Sequence, residues 1–133
     1  MNWISSGADY ILTNPDLILP TKEGFAPGAG TIGAAIEAAT GKTPTIIGKP
    51  SSILMKYAID ILNVPHEQIA VIGDNMLTDI SAGVNVGCGT ILTLTGVTTE
   101  DNLASFEQRT NIKADVICKD LEEVIKLIRN FND

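Results

Sequence analysis

The sequence predicts an α/β fold built on a parallel sheet. Short apolar runs alternate along the chain with segments of helical period, the order that βαβ units produce. The runs are apolar throughout rather than alternately polar, as strands covered on both faces are. A length of 133 residues at 44% hydrophobic content suits one ordinary domain of roughly 100–150 residues and is too short for two.

Each element follows from local chemistry. Ala8–Thr13 (ADYILT) reads as a strand. Leu17–Gly30 is rich in Gly and Pro and reads as a loop joining two substructures. Gly28–Thr40 reads as a helix with small residues on its packing face, stopped by Gly41. Thr45–Gly48 (TIIG) is a short strand. Ser51–Leu62 is a helix that Ser51 or Ser52 can cap, with Leu54, Ala58, Ile61 and Leu62 on one side. Asn63-Val64-Pro65 ends it. Gln68–Gly73 (QIAVIG) is the next strand, followed by a helix from about Thr78 to Asn85. Gly89–Leu94 is a strand, Glu100–Phe106 a short helix and Asp115–Cys118 a brief strand. Leu121–Phe131 closes the chain as an amphipathic helix. Its apolar face is Leu121, Val124, Ile125 and Ile128, and Asp120 can cap it. Trp3, Phe25 and Tyr57 are scattered and expected to serve packing.

Composition excludes several function classes. The net charge is −7 and the pI about 4.5. The nine Lys and Arg form no run or stripe, which argues against a nucleic-acid or anionic-membrane surface. No apolar run approaches the ~20 residues of a membrane span, and no basic-then-apolar leader opens the chain. A cytoplasmic location is therefore expected. Cys88 and Cys118 lie far apart, and His66 is the single histidine, a poor set for tetrahedral zinc. Buried free thiols are the expectation for both cysteines. His66 follows Pro65 in a loop and reads as a surface residue.

In open parallel sheets, ligands bind at the carboxyl ends of the strands. Two loops therefore matter most, those after Ile47 and after Ile72. Gly73-Asp74-Asn75-Met76-Leu77-Thr78-Asp79 directly follows the run IAVI. It puts one carboxylate at a strand end and another at the start of the next helix. A hard cation such as Mg²⁺ takes one or two carboxylates together with phosphate oxygens and waters. The plainer alternative makes Asp74 a turn residue and Asp79 a first-turn acid. Gly48-Lys49-Pro50-Ser51 also follows a short apolar strand and precedes a helix. Its ammonium can neutralise phosphate charge in the same crevice, or it can be a solvated surface lysine. The P-loop pattern is absent.

Taken together and in order, GKPS, GDNMLTDI, Ala82-Gly83 with Gly87, and Thr95-Gly96-Val97-Thr98 resemble the haloacid dehalogenase-like (HAD) hydrolases. The NagD-like, 4-nitrophenylphosphatase branch is the most similar. The likeness extends to Leu12-Thr13-Asn14-Pro15-Asp16 and to Pro27-Gly28-Ala29-Gly30, which match the end of that branch's mobile cap. The resemblance implies a three-layer Rossmann-like core and a Mg²⁺-dependent phosphatase acting on small phosphate monoesters through an aspartyl-phosphate. Residue by residue, it implies that Lys49 stabilises the phosphate and that Asp74 holds Mg²⁺. It implies that Asp79 orients the site or the lysine, that Asn75 stands close behind and contributes to substrate binding, and that Asn14 and Asp16 approach the substrate.

One departure bears on activity. The family's nucleophile lies in a D-x-D-G after an apolar strand, and no D-x-D occurs here. By resemblance the core is therefore expected to be incomplete. Residues 1–43 would be a cap remnant and residues 44–133 the C-terminal part of the core. Such a piece would be inactive alone and prone to self-association through an exposed sheet edge. A non-catalytic binding module retaining the fold is the alternative function. A receiver-like or flavodoxin-like domain fits GKPS and GDNMLTDI poorly. Thr93, Thr95, Thr98 and Thr99 surround a strand end and could either touch phosphate or serve the strand and turn.

Overall fold

The computed structural model describes residues 1–130; Phe131, expected at the end of the last helix, lies outside the described residues. A helical turn, α1 (Asn2–Ser5), precedes β1 (Ile11–Leu12). A hairpin of β2 (Ile18–Thr21) and β3 (Gly24–Pro27) follows, then α2 (Ala29–Thr40) and β4 (Thr45–Ile46). β1 and β4 pair in parallel, Ile11 opposite Thr45 and Leu12 opposite Ile46.

The second half runs α3 (Ser52–Leu62), β5 (Ala70–Gly73), a π-helical turn at Met76–Ile80, and α4 (Ser81–Asn85). It continues through β6 (Gly89–Thr93), α5 (Leu103–Thr110), β7 (Val116–Cys118) and α6 (Leu121–Asn130). β5, β6 and β7 form a parallel sheet with β6 in the middle.

The α/β class and the parallel pairing are as the sequence predicts. The strands differ in forming two separate parallel ladders rather than one sheet. Among the described residues β5 has a strand partner on one side only, so its ladder does not continue toward β4.

β6 explains why its sequence is apolar throughout. Side chains alternate across a strand, and both faces of β6 are covered. Leu92 joins Met76 and Ile80 in one fully buried cluster, flanked by Leu94, Leu103 and Phe106. Ile91 joins Cys118 and Val124 on the other face. Both cysteines are buried free thiols, as expected. At the start of this sheet Asp115 locks onto Thr90: its Oδ2 accepts from the Thr90 amide and hydroxyl, and its own amide donates to Thr90 Oγ1.

Several expectations need correction. The stripe on α3 is not a packed face: Leu54, Ile61 and Leu62 are exposed, Ile61 to 66%, and no residue of α3 is buried. On α6 Val124 is buried, while Leu121 and Ile125 are exposed. Trp3, Phe25 and Tyr57 are also exposed, Trp3 to 82%, so packing is not their role within residues 1–130. The stretch read as a loop contains the β2–β3 hairpin. Its prolines are compatible with strands because both strands are edges, where a missing N–H is tolerated. α5 begins at Leu103 rather than Glu100. The Asn102 side chain ties the preceding turn, its Oδ1 accepting from Thr99 N–H (2.8 Å) and its Nδ2 donating to the Val97 carbonyl (3.1 Å).

Candidate active site

Three loops meet at the carboxyl ends of the strands. After β1 come Thr13, Asn14, Pro15 and Asp16; after β4 come Gly48 and Lys49; after β5 come Asp74 to Asp79. The parallel pairing of β1 with β4 sets the first two side by side. An open cleft of about 270 Å³ lies there, lined by Asn14, Asp16, Gly48, Lys49, Leu54 and Thr78.

Lys49 and Asp79, 30 residues apart in sequence, form an ion pair through Nζ and Oδ1. Asp79 is buried and Lys49 about half exposed. The other Asp79 oxygen, Oδ2, accepts from the Asn75 N–H at 3.2 Å. The buried carboxylate is thus paired and hydrogen-bonded, the condition for burying a charge at tolerable cost. Gly73 makes room for it, since a side-chain carbon there would overlap the Asp79 carboxylate.

Asn75 organises the turn between the two acids. Its Oδ1 accepts from Leu77 N–H (2.9 Å), and its carbonyl accepts from the amides of Thr78, Asp79 and Ile80. The wide π turn that results carries Asp79 inward; such single turns recur at functional sites. Asn14 Oδ1 is likewise engaged, accepting from Asp16 N–H at 2.7 Å and holding the loop after β1 in a tight turn. Asn14 is also part of the cleft wall.

Asp74 is half-buried. Its Oδ2 accepts from Val97 N–H (2.7 Å) and its main-chain carbonyl from Thr98 N–H (2.9 Å). Oδ1 takes no hydrogen bond among the described residues. No cluster of three or more His, Cys, Asp or Glu is present among the described residues. The donor set still fits Mg²⁺, which commonly takes one or two carboxylates and fills its octahedron with water and phosphate oxygens.

The structure brings Lys49 and Asp79 into direct contact, and Asn75 beside Asp79; Asn14 and Asp16 share the cleft wall with Lys49. Sequence reasoning missed Leu54 and Thr78 as cleft residues and did not single out the partners of Asp74 at Gly96–Thr98. That stretch was read for its family likeness and for its threonines; the available signal was Gly96, three residues beyond the end of β6. Thr98 is fully buried with its Oγ1 accepting from Met76 N–H (3.1 Å), so its role is inside the loops. His66 is exposed and pairs with neighbouring Glu67, as a surface residue does.

Residues 46–124 match the HAD-hydrolase-like family. An acid sugar phosphatase of Staphylococcus aureus is 40% identical over 122 residues, covering 92% of this chain and 46% of that protein. The p-nitrophenyl phosphatase from Archaeoglobus fulgidus superposes with a TM-score of 0.88 at 38% identity, over 95% of this chain and 49% of that one. The 4-nitrophenylphosphatase of Thermotoga maritima gives 0.81 at 41% identity, over 94% and 47%. The chain thus spans less than half the length of these relatives, all three of which are phosphatases by name. A family match over more than half of the 133 residues, in a stretch that includes both Lys49 and Asp79, makes this chain a member of the haloacid dehalogenase-like hydrolases.

Proposed function

We propose that this chain supplies the charge-handling part of a phosphomonoesterase site. The Lys49–Asp79 pair carries the reading, because it joins two motifs remote in sequence at one strand-end crevice. Phosphoryl transfer needs positioning and charge neutralisation more than covalent machinery. An ammonium carries three donors; with one on Asp79, the others are free for phosphate oxygens. Asp79 fixes where the ammonium stands. Asp74 would hold Mg²⁺ through Oδ1, and the ion would supply further neutralisation of phosphate charge there. Asn14 and Asp16 sit where the organic part of a substrate would lie, and Asn75 keeps the acid-bearing turn in shape.

The attacking aspartate is assigned to residues outside this sequence, which has no D-x-D. In the whole protein the reaction would be hydrolysis of a small phosphate monoester through an aspartyl-phosphate. We divide the chain at residue 43 into a cap-derived part and a core part, joined by the β1–β4 ladder. The acidic balance argues against nucleic-acid and anionic-membrane partners and suits a cytoplasmic enzyme. No helix among the described residues is long and apolar enough to cross a membrane. The open edge of β5 favours self-association.

The test is phosphate release from an aryl phosphate by the complete protein, with Mg²⁺ and with chelator. Chelator-sensitive turnover that falls sharply in Asp74→Asn is expected. Turnover indifferent to both would overturn the reading. The alternative, a binding module without catalysis, predicts that the complete protein binds inorganic phosphate and releases none from the ester.

A further inference from the structure

We infer that Gly96, Val97 and Thr98 are positioning residues that present Asp74 to a cation with one carboxylate oxygen already committed to the protein. The inference rests on Asp74 being the cation ligand proposed above and goes beyond it by naming what aims that ligand.

Three contacts tie the loop after β6 to the loop after β5. Val97 N–H donates to Asp74 Oδ2 at 2.7 Å. Thr98 N–H donates to the Asp74 carbonyl at 2.9 Å. Met76 N–H donates to the Thr98 hydroxyl at 3.1 Å, in a fully buried setting. The side chain and the main chain of the Asp74 loop are therefore gripped by the same short segment. A carboxylate held at one oxygen by a backbone amide cannot swing freely about its terminal torsion. Its second oxygen keeps one direction without the entropy loss of being ordered at each binding event.

Gly96 supplies the sharpest clue. It does not have the left-handed φ that would demand glycine. Its missing side chain is required by something else: a carbon placed there would overlap the Asp74 carboxylate itself. The segment is thus shaped around that carboxylate. An alanine at Gly96 is compatible with the backbone and must push the carboxylate aside. Groups that orient a metal ligand typically matter by roughly 10–100-fold in metal affinity.

The experiment is Mn²⁺ binding to the complete protein, followed by electron paramagnetic resonance with Mg²⁺ as competitor, which needs no turnover. Wild type should bind and Asp74→Asn should lose binding. Gly96→Ala should weaken affinity by roughly 10–100-fold while the thermal unfolding midpoint stays close to wild type. Thr98→Val removes the acceptor for Met76 N–H and should weaken binding too, and Thr98→Ser should restore it. If Asp74→Asn leaves wild-type binding intact, the ligand assignment fails and the inference with it. If Asp74→Asn abolishes binding but Gly96→Ala binds like wild type, the ligand assignment stands and the inference is overturned. Equal losses in Thr98→Val and Thr98→Ser would also overturn it.

Discussion

Lys49 has a long side chain on a loop, about half exposed, and by itself it would sample many rotamers. Its pairing with buried Asp79 restricts it to one region of the crevice. Removing the ammonium (Lys49→Ala) should lower turnover of the complete protein by a factor of roughly 10² or more, the scale of preorganised electrostatic groups. Steady-state release of phosphate measures it. Asp79→Asn should act differently, because it releases the ammonium and keeps the shape. KM for the phosphate ester should rise along with the fall in kcat, since a freed lysine binds phosphate less selectively. The two buried thiols make a separate prediction. Burial pushes the Cys88 thiol up, with Glu67 adding to it, and burial with Glu123 and Asp120 does the same for Cys118. The folded state then holds these protons more tightly than the unfolded chain. The associated stability is complete below the ordinary thiol range of about 8.5 and is lost as pH rises through the raised folded values. Unfolding midpoints between neutral and alkaline pH, under reducing conditions, should fall less steeply in Cys118→Ala than in wild type.

Among the elements, helices were the most legible. α2 and α3 begin and end where glycine, serine and asparagine place them: Gly41 closes α2 in the left-handed region, Ser51 caps α3, and Asn63 closes it. Asp120 caps α6 as expected, its Oδ1 accepting from Glu123 N–H at 2.9 Å. These signals are local and survive whatever packs around them. The β2–β3 hairpin was illegible because its prolines argue against a strand unless one knows that both strands are edges. Pairing at the site was legible in part. The family resemblance implied that Asp79 orients the site or the lysine; the fold adds the direct Lys49–Asp79 contact and the grip of Val97 on Asp74, which no local signal announced. A side-chain carbon at Gly30 would overlap the carbonyl of Pro15. Gly30→Ala should therefore displace the loop carrying Asn14 and Asp16, at a cost of about 1–3 kcal/mol. Chemical denaturation gives the number, and weaker substrate binding should accompany it.

At the scale of the molecule, the buried apolar core concentrates around β6, while α3, the hairpin and the outer turns of α6 leave large apolar side chains in water. Composition and periodicity cannot distinguish an apolar stripe that is packed from one that is not, which is why the faces of α3 and α6 were misjudged. Leu92 is at the centre, and Leu92→Ala should destabilise by about 2–5 kcal/mol, against much less for the same change at exposed Leu62. The exposed stripes and the unpaired side of β5 predict association of the isolated chain as concentration rises, which sedimentation velocity would record as a growing sedimentation coefficient. A concentration-independent monomer would count against it.

The three hydrogen bonds between Asp115 and Thr90 have a consequence for how the molecule opens. They stitch β6 to the start of β7 at the end of the sheet remote from the crevice. Amide deuterium uptake should then be graded across the sheet. Thr90 would exchange only on global unfolding, and β5, paired on one side, would open earlier in smaller fluctuations. The crevice loops after β5 would sit on the sheet's more yielding border, with an anchored spine behind them.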